Sequence, residues 1–207
     1  MATKDMGLEN DAEVRNPSDD LALIREMMEA GKRRVAFNGM HLIIWGSVLM
    51  VGFFAQFLAV KGKLPDTVLG VWLPVLAVGW GAEFFMFRGK AGSSEKNLPI
   101  LAHATSWLAV GLGTMIYFGV SVAFNTFDPK AITLVSTALI GAAFFVTAAM
   151  TGVKWLNGVT AGWWGLMAYV AHQETFTAEM LLVMAVAAGL LLSLPGFLMR
   201  RLAPASE

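Results

Sequence analysis

Six stretches of about twenty apolar residues, each bounded by charge, constrain this chain more than any other feature. A helix that crosses the hydrocarbon core of a bilayer needs roughly 20 consecutive, mostly apolar residues. Runs of that kind fall at about 35–60, 67–87, 98–124, 131–151, 155–172 and 178–199. The fifth is the most dilute, with Asn157, Thr160 and three glycines, but Trp163, Trp164, Leu166, Met167, Tyr169 and Val170 keep it apolar. Only 14% of the 207 residues are charged and 57% are hydrophobic, against roughly 25% charged in soluble domains. The fold class expected is all-α: a polytopic transmembrane helix bundle of six spans.

The same residues exclude several functions. With no Cys in the chain, disulfides, thiolate metal centres and thiol nucleophiles are ruled out. Fifteen basic residues balance fifteen acidic ones and no long basic run occurs, so nucleic acid, which is bound by phosphate neutralisation, is not an expected partner. No H-E-x-x-H, G-x-S-x-G or Walker A pattern is present, so no catalytic site is recognisable. Thirty-four mostly polar residues precede the first apolar run, which is too long for a signal-peptide core and reads as a retained anchor.

Charge in the loops sets the expected orientation. With the N-terminus inside, the cytoplasmic side collects twelve basic residues, among them Lys32, Arg33, Arg34, Arg88, Lys154, Arg200 and Arg201, and leaves Lys61, Lys63 and Lys130 outside. That asymmetry predicts both termini in the cytoplasm and a multi-pass protein of the cell inner membrane. Residues 1–17 read as a flexible tail and 200–207 as a short cytoplasmic one. Between 18 and 34, Leu21, Ile24, Met27 and Met28 recur at three- and four-residue steps opposite Arg25, Glu26, Glu29, Lys32 and Arg33. This is an amphipathic helix, begun by Asn16 or Ser18 with Pro17, Asp19 and Asp20 in its first turn. Its apolar face, with Lys32, Arg33 and Arg34 at headgroup level, suits the membrane surface or a membrane or cytoplasmic protein partner.

The spans resemble one another at intervals of about 60 residues. Asn38-Gly39 with Trp45-Gly46 returns as Asn157-Gly158 with Trp164-Gly165, His41 and Trp45 return as His103 and Trp107, and Gly81-Ala82-Glu83-Phe84-Phe85 is echoed by Gly141-Ala142-Ala143-Phe144-Phe145. Three parallel helical-hairpin repeats about an axis along the membrane normal would produce this pattern. The pairs Gly158/Gly162, Ala161/Gly165 and Ala185/Gly189 are candidates for close packing, and Pro74 and Pro195-Gly196 for kinks.

His41, Glu83 and His103 fall at one depth, roughly 8–9 Å inside the cytoplasmic boundary at 1.5 Å per residue. Ionisable groups within a span usually face the bundle or a wet cavity. The three residues could form a structural polar network, with Glu83 paired to Arg88 or Lys90, or a proton or metal site. His41 and His103 could also be cofactor ligands to haem. No cofactor is assigned among these alternatives. Gln56 and His172 read as ordinary boundary residues; Trp45, Trp80, Trp107, Trp155, Trp163 and Trp164 could line a cofactor pocket but read first as packing or interface residues.

The segment Leu21 to Gly46, LALIREMMEAGKRRVAFNGMHLIIWG, resembles a group of bacterial polytopic inner-membrane proteins to which no activity is assigned. In these a Leu-Ile-x-x-Met helix runs through basic residues into a first span with a Trp-Gly pair. The three-hairpin plan, with Leu134-Val135-Ser136-Thr137, is also similar to six-span acid-resistance membrane proteins of enteric bacteria. These likenesses imply a bacterial inner-membrane location and a regulatory, accessory or stress-related role, and they bring no catalytic residues. The competing expectation is a small transporter, channel or redox protein built on the His/Glu cluster.

Overall fold

Apolar runs become helices here because nothing interrupts them except residues suited to helix ends. Residues 21–26, 39–65, 67–88 and 98–202 are described by the computed structural model, and among them every regular element is helical. The helices are α1 (Met40–Val60), α2 (Val68–Phe87), α3 (Leu98–Ala123), α4 (Pro129–Thr151), α5 (Leu156–His172) and α6 (Ala178–Ala188). A π-helical turn, Gly189–Ser193, carries α6 directly into α7 (Leu194–Leu202). Thr67 caps α2 by accepting from Gly70 N–H at 3.1 Å, and Asp128 caps α4 by accepting from Lys130 N–H at 2.8 Å with Pro129 in the first turn. These caps satisfy backbone donors that a helix start leaves open. At the end of α4, Gly152 takes the left-handed conformation, φ 71°, that only glycine adopts without strain.

Five of these elements are long and apolar enough to cross a membrane: α1, α2, α3, α4 and the α6–α7 rod. Six were expected, and by length and composition five qualify. The helix in the fifth run, α5, has 17 residues, about 25 Å at 1.5 Å per residue, short of a typical hydrocarbon thickness. It nevertheless packs lengthwise against α4 and reaches the π-helical turn. Of the expected amphipathic helix 18–34, residues 21–26 are helical and exposed. Met27, Met28, Lys32, Arg33 and Arg34 lie outside the described residues.

Around the bundle the neighbours run α2, α1, α6–α7, α5, α4, α3. Each helical hairpin therefore follows the next in the same sense, the order that a three-hairpin repeat requires. Two junctions between hairpins are closed. The third, between α2 and α3, has no comparable backbone packing. The main cluster of the buried core, which includes Leu42, Trp107, Phe144, Leu156, Trp163 and Leu192, draws on every hairpin but takes nothing from α2, where Val71 is buried apart from it.

The closest backbone approach joins distant parts of the chain. A Cβ on Gly39 would collide with the Gly196 backbone, and one on Gly196 with Gly39, Leu42 and Ile43; Gly46 is likewise pressed on Ser193. By contrast, Gly158 and Gly165, expected at packing seams, face open space, whereas Gly162 and Gly189 do meet neighbours, Leu191 and Met50. Pro74 stays within a continuous α2. Pro195 leaves the carbonyl of Leu191 without its usual helical donor. Trp163 Nε1 donates to that carbonyl at 3.0 Å, and the π-helical turn lies immediately before the proline. The chain thus accommodates Pro195 by a π turn and an indole from α5.

Candidate functional site

Helical rise puts His41, Glu83 and His103 on one tier, and packing decides their partners. His41 Nδ1 lies 2.5 Å from Glu83 Oε1, and Trp45 Nε1 donates to Glu83 Oε2. Each carboxylate oxygen thus has one hydrogen-bond partner, His41 on one and Trp45 on the other, and each has a further lone pair for another donor. The pair is partly exposed, 18% for His41 and 22% for Glu83. Glu83 therefore joins α1 to α2 rather than pairing with Arg88, whose guanidinium lies over the Phe84 ring.

His103 belongs to a different hydrogen-bonded group. Its Nδ1 is 3.1 Å from Thr147 Oγ1, which also accepts from Trp107 Nε1 at 3.3 Å and donates its own proton to the Ala143 carbonyl at 2.7 Å. Since the only proton on Thr147 is committed to Ala143, His103 must donate from Nδ1. That leaves its Nε2 as an acceptor, and Nε2 has no hydrogen bond among the described residues. Trp107 touches both imidazoles, with centroid distances of 5.4 Å to His41 and 6.3 Å to His103. No group of three His, Asp or Glu residues converges as a metal-ligand set among the described residues. The expected cluster is two linked pairs, His41–Glu83 and His103–Thr147, with Trp107 between the groups.

One turn deeper lies a tier of indoles. Trp45 and Trp80 meet edge to face at 5.3 Å, and Trp80 extends across to the backbone of α3 at Gly111. A cavity of about 700 Å³ runs along the bundle, walled by α1, α2, α3 and α4 and by Trp163, Leu181, Met184 and Leu192, past Leu76, Phe53 and Ile140, to Phe127 and Phe176 at the other end. His41, Glu83 and His103 line its first end. Trp80 and Leu108 line it too, yet are 38% and 51% exposed. The cavity therefore opens sideways at the loosely packed α2/α3 seam.

Its wall holds features that the sequence reading missed. Trp72, one turn of α2 beyond Leu76, lines it and meets Phe53 edge to face at 5.0 Å. Gln56 is 6% exposed with its side-chain carbonyl unpartnered, and Thr114 Oγ1 is likewise buried without a partner. A lone glutamine near a span end carries no sequence signal that separates a boundary residue from a cavity wall. At the far end Lys61 pairs with Glu179 at 2.9 Å, and Lys130 donates to the Gln173 carbonyl at 2.5 Å. These contacts tie α1 to α6, and α4 to the loop after α5. His172 is exposed near this end and does not line the cavity. Comparison with known protein families, with curated proteins and with solved structures found no match to this chain.

Proposed function

We propose that this chain is a multi-pass inner-membrane protein of bacterial type, with accessory or regulatory rather than catalytic action, that holds a small lipid-soluble molecule within its bundle. The observation that carries this reading is the 700 Å³ cavity, open between α2 and α3, whose largely apolar wall ends at the His41–Glu83 pair. Binding sites for small molecules are concave and mostly apolar, with a few polar groups that fix orientation. A sideways opening suits a guest that arrives from the bilayer. The basic loop residues favour cytoplasmic termini and α5 as a sixth, short crossing. That orientation puts His41 and Glu83 at the cytoplasmic end, and assigns residues 18–34 to the same side for docking a partner or the membrane surface.

One observation favours a second reading, proton or ion movement: His41 and Glu83 form a titratable pair inside a span. A conduit needs polar groups along its length, whereas the wall beyond the indoles is dominated by Leu, Ile, Val and aromatic side chains.

Mass spectrometry of the small molecules that co-purify with the protein tests the binding reading. About one apolar molecule per chain is expected with the wild type. Leu76→Trp, which fills the cavity midway, should remove it without unfolding the bundle. If the same lipids co-purify in the same amounts with both forms, the cavity is not a binding site.

A further inference from the structure

If the cavity holds a guest, its charge and shape say which kind. Among the described residues Glu83 is the only carboxylate in the wall, and no Lys or Arg lines it. An anionic head group would meet a carboxylate and no fixed cation. The polar groups at this end are mainly acceptors: the spare lone pairs of Glu83, and Nε2 of His103, which is fixed as an acceptor by the Thr147 bond. Next to them stand the indoles of Trp45, Trp80 and Trp107. Indoles grouped with a carboxylate suit organic ammonium ions, which aromatic rings and a carboxylate both attract. Each oxygen of Glu83 has a single partner, His41 or Trp45, so a further lone pair on each can accept from an ammonium N–H.

The remainder of the cavity sets the tail. From His41 to Val60, both in the wall, α1 rises about 28 Å at 1.5 Å per residue. Spread over that length, 700 Å³ leaves a mean cross-section of about 25 Å², room for one extended hydrocarbon chain and not two. The stretch between Trp45 and Gln56 is about 16 Å long and takes a chain of dodecyl size. Gln56 lies one turn from the end of α1, buried, with its side-chain carbonyl unpartnered among the described residues.

We infer that the cavity binds a single-chain ammonium amphiphile, its head between Glu83 and the three indoles and its tail running along α1 towards Phe53. The inference rests on the proposed binding function and narrows it to one ligand class.

The test is equilibrium binding of radiolabelled dodecylammonium, dodecanol and dodecanoate to the full chain in zwitterionic nanodiscs, with empty nanodiscs subtracted. Saturable binding of dodecylammonium near one per chain is expected, at least tenfold tighter than dodecanol, with dodecanoate weakest. Glu83→Gln should remove the preference for the cation and retain the binding of dodecanol. Leu76→Trp should abolish all saturable binding. If dodecanol and dodecylammonium bind equally, and Glu83→Gln changes neither, the ammonium assignment is overturned while the cavity reading stands. If no probe binds saturably, or Leu76→Trp leaves binding intact, both readings fall.

Discussion

Thr147 is the side chain on which the His103 group depends. Its hydroxyl receives two ring donors and spends its own proton on Ala143. Thr147→Val keeps the shape and removes the acceptor, leaving two buried donors unpaired. Leaving a buried donor unsatisfied costs about 1–3 kcal/mol, although measured values within bilayers average nearer 0.6 kcal/mol. A loss of about 1–2 kcal/mol is therefore expected in reversible unfolding of the reconstituted protein, with Thr147→Ser close to wild type. A valine variant as stable as the serine one would show that the hydroxyl is not holding the rings. The sequence revealed the depth of His41, Glu83 and His103, because helical rise fixes depth. It did not reveal their partners, because a threonine in an apolar run gives no sign of which helix it faces.

Glycines show the same limit at the scale of elements. The seam between α1 and α7 closes on Gly39, Gly46 and Gly196, residues separated by about 150 positions, and spacing within one helix cannot reveal a crossing between two. Gly39→Ala or Gly196→Ala forces a methyl into backbone and should cost about 1–3 kcal/mol or prevent assembly. Gly165→Ala meets nothing within 4 Å and should be neutral or stabilise by up to about 1 kcal/mol, since alanine is the better helix former. Thermal unfolding of the two variants side by side checks both, and an equal effect at the two sites would refute the assigned crossing. The repeat was legible in outline only. The His–Trp match holds, with His41 and Trp45, and His103 and Trp107, all in the cavity wall. The Trp45–Trp164 match does not: Trp164 lies on the outside against Gly141, and Trp163 takes the inward place. A shift of one residue turns a helix by about 100°, enough to exchange a cavity wall for a lipid-facing surface.

At the scale of the molecule, long apolar runs announced a helical membrane bundle. What composition could not show is that the ring of hairpins is incompletely packed. Helix α2 gives no side chain to the main core cluster and α3 gives only Trp107 and, at its edge, Val110, so the cavity sits behind a weakly held pair. Trp80→Ala should widen that opening, speeding exchange of a bound amphiphile while leaving the core packing, and hence unfolding, nearly unchanged. Stopped-flow dissociation measures the first and calorimetry the second.

The central claim is a cavity that opens to lipid rather than to water, and the absence of native Cys makes it directly measurable. A nitroxide attached at Leu76→Cys, within the wall, is compared with one at Val78→Cys, on the outer face of α2, by collision rates with oxygen and with a water-soluble nickel chelate. Both positions should collide freely with oxygen and poorly with nickel, with added dodecylammonium slowing oxygen at Leu76→Cys alone. High nickel accessibility at Leu76→Cys would instead mark a water-filled path, and would contradict the account in favour of a conduit.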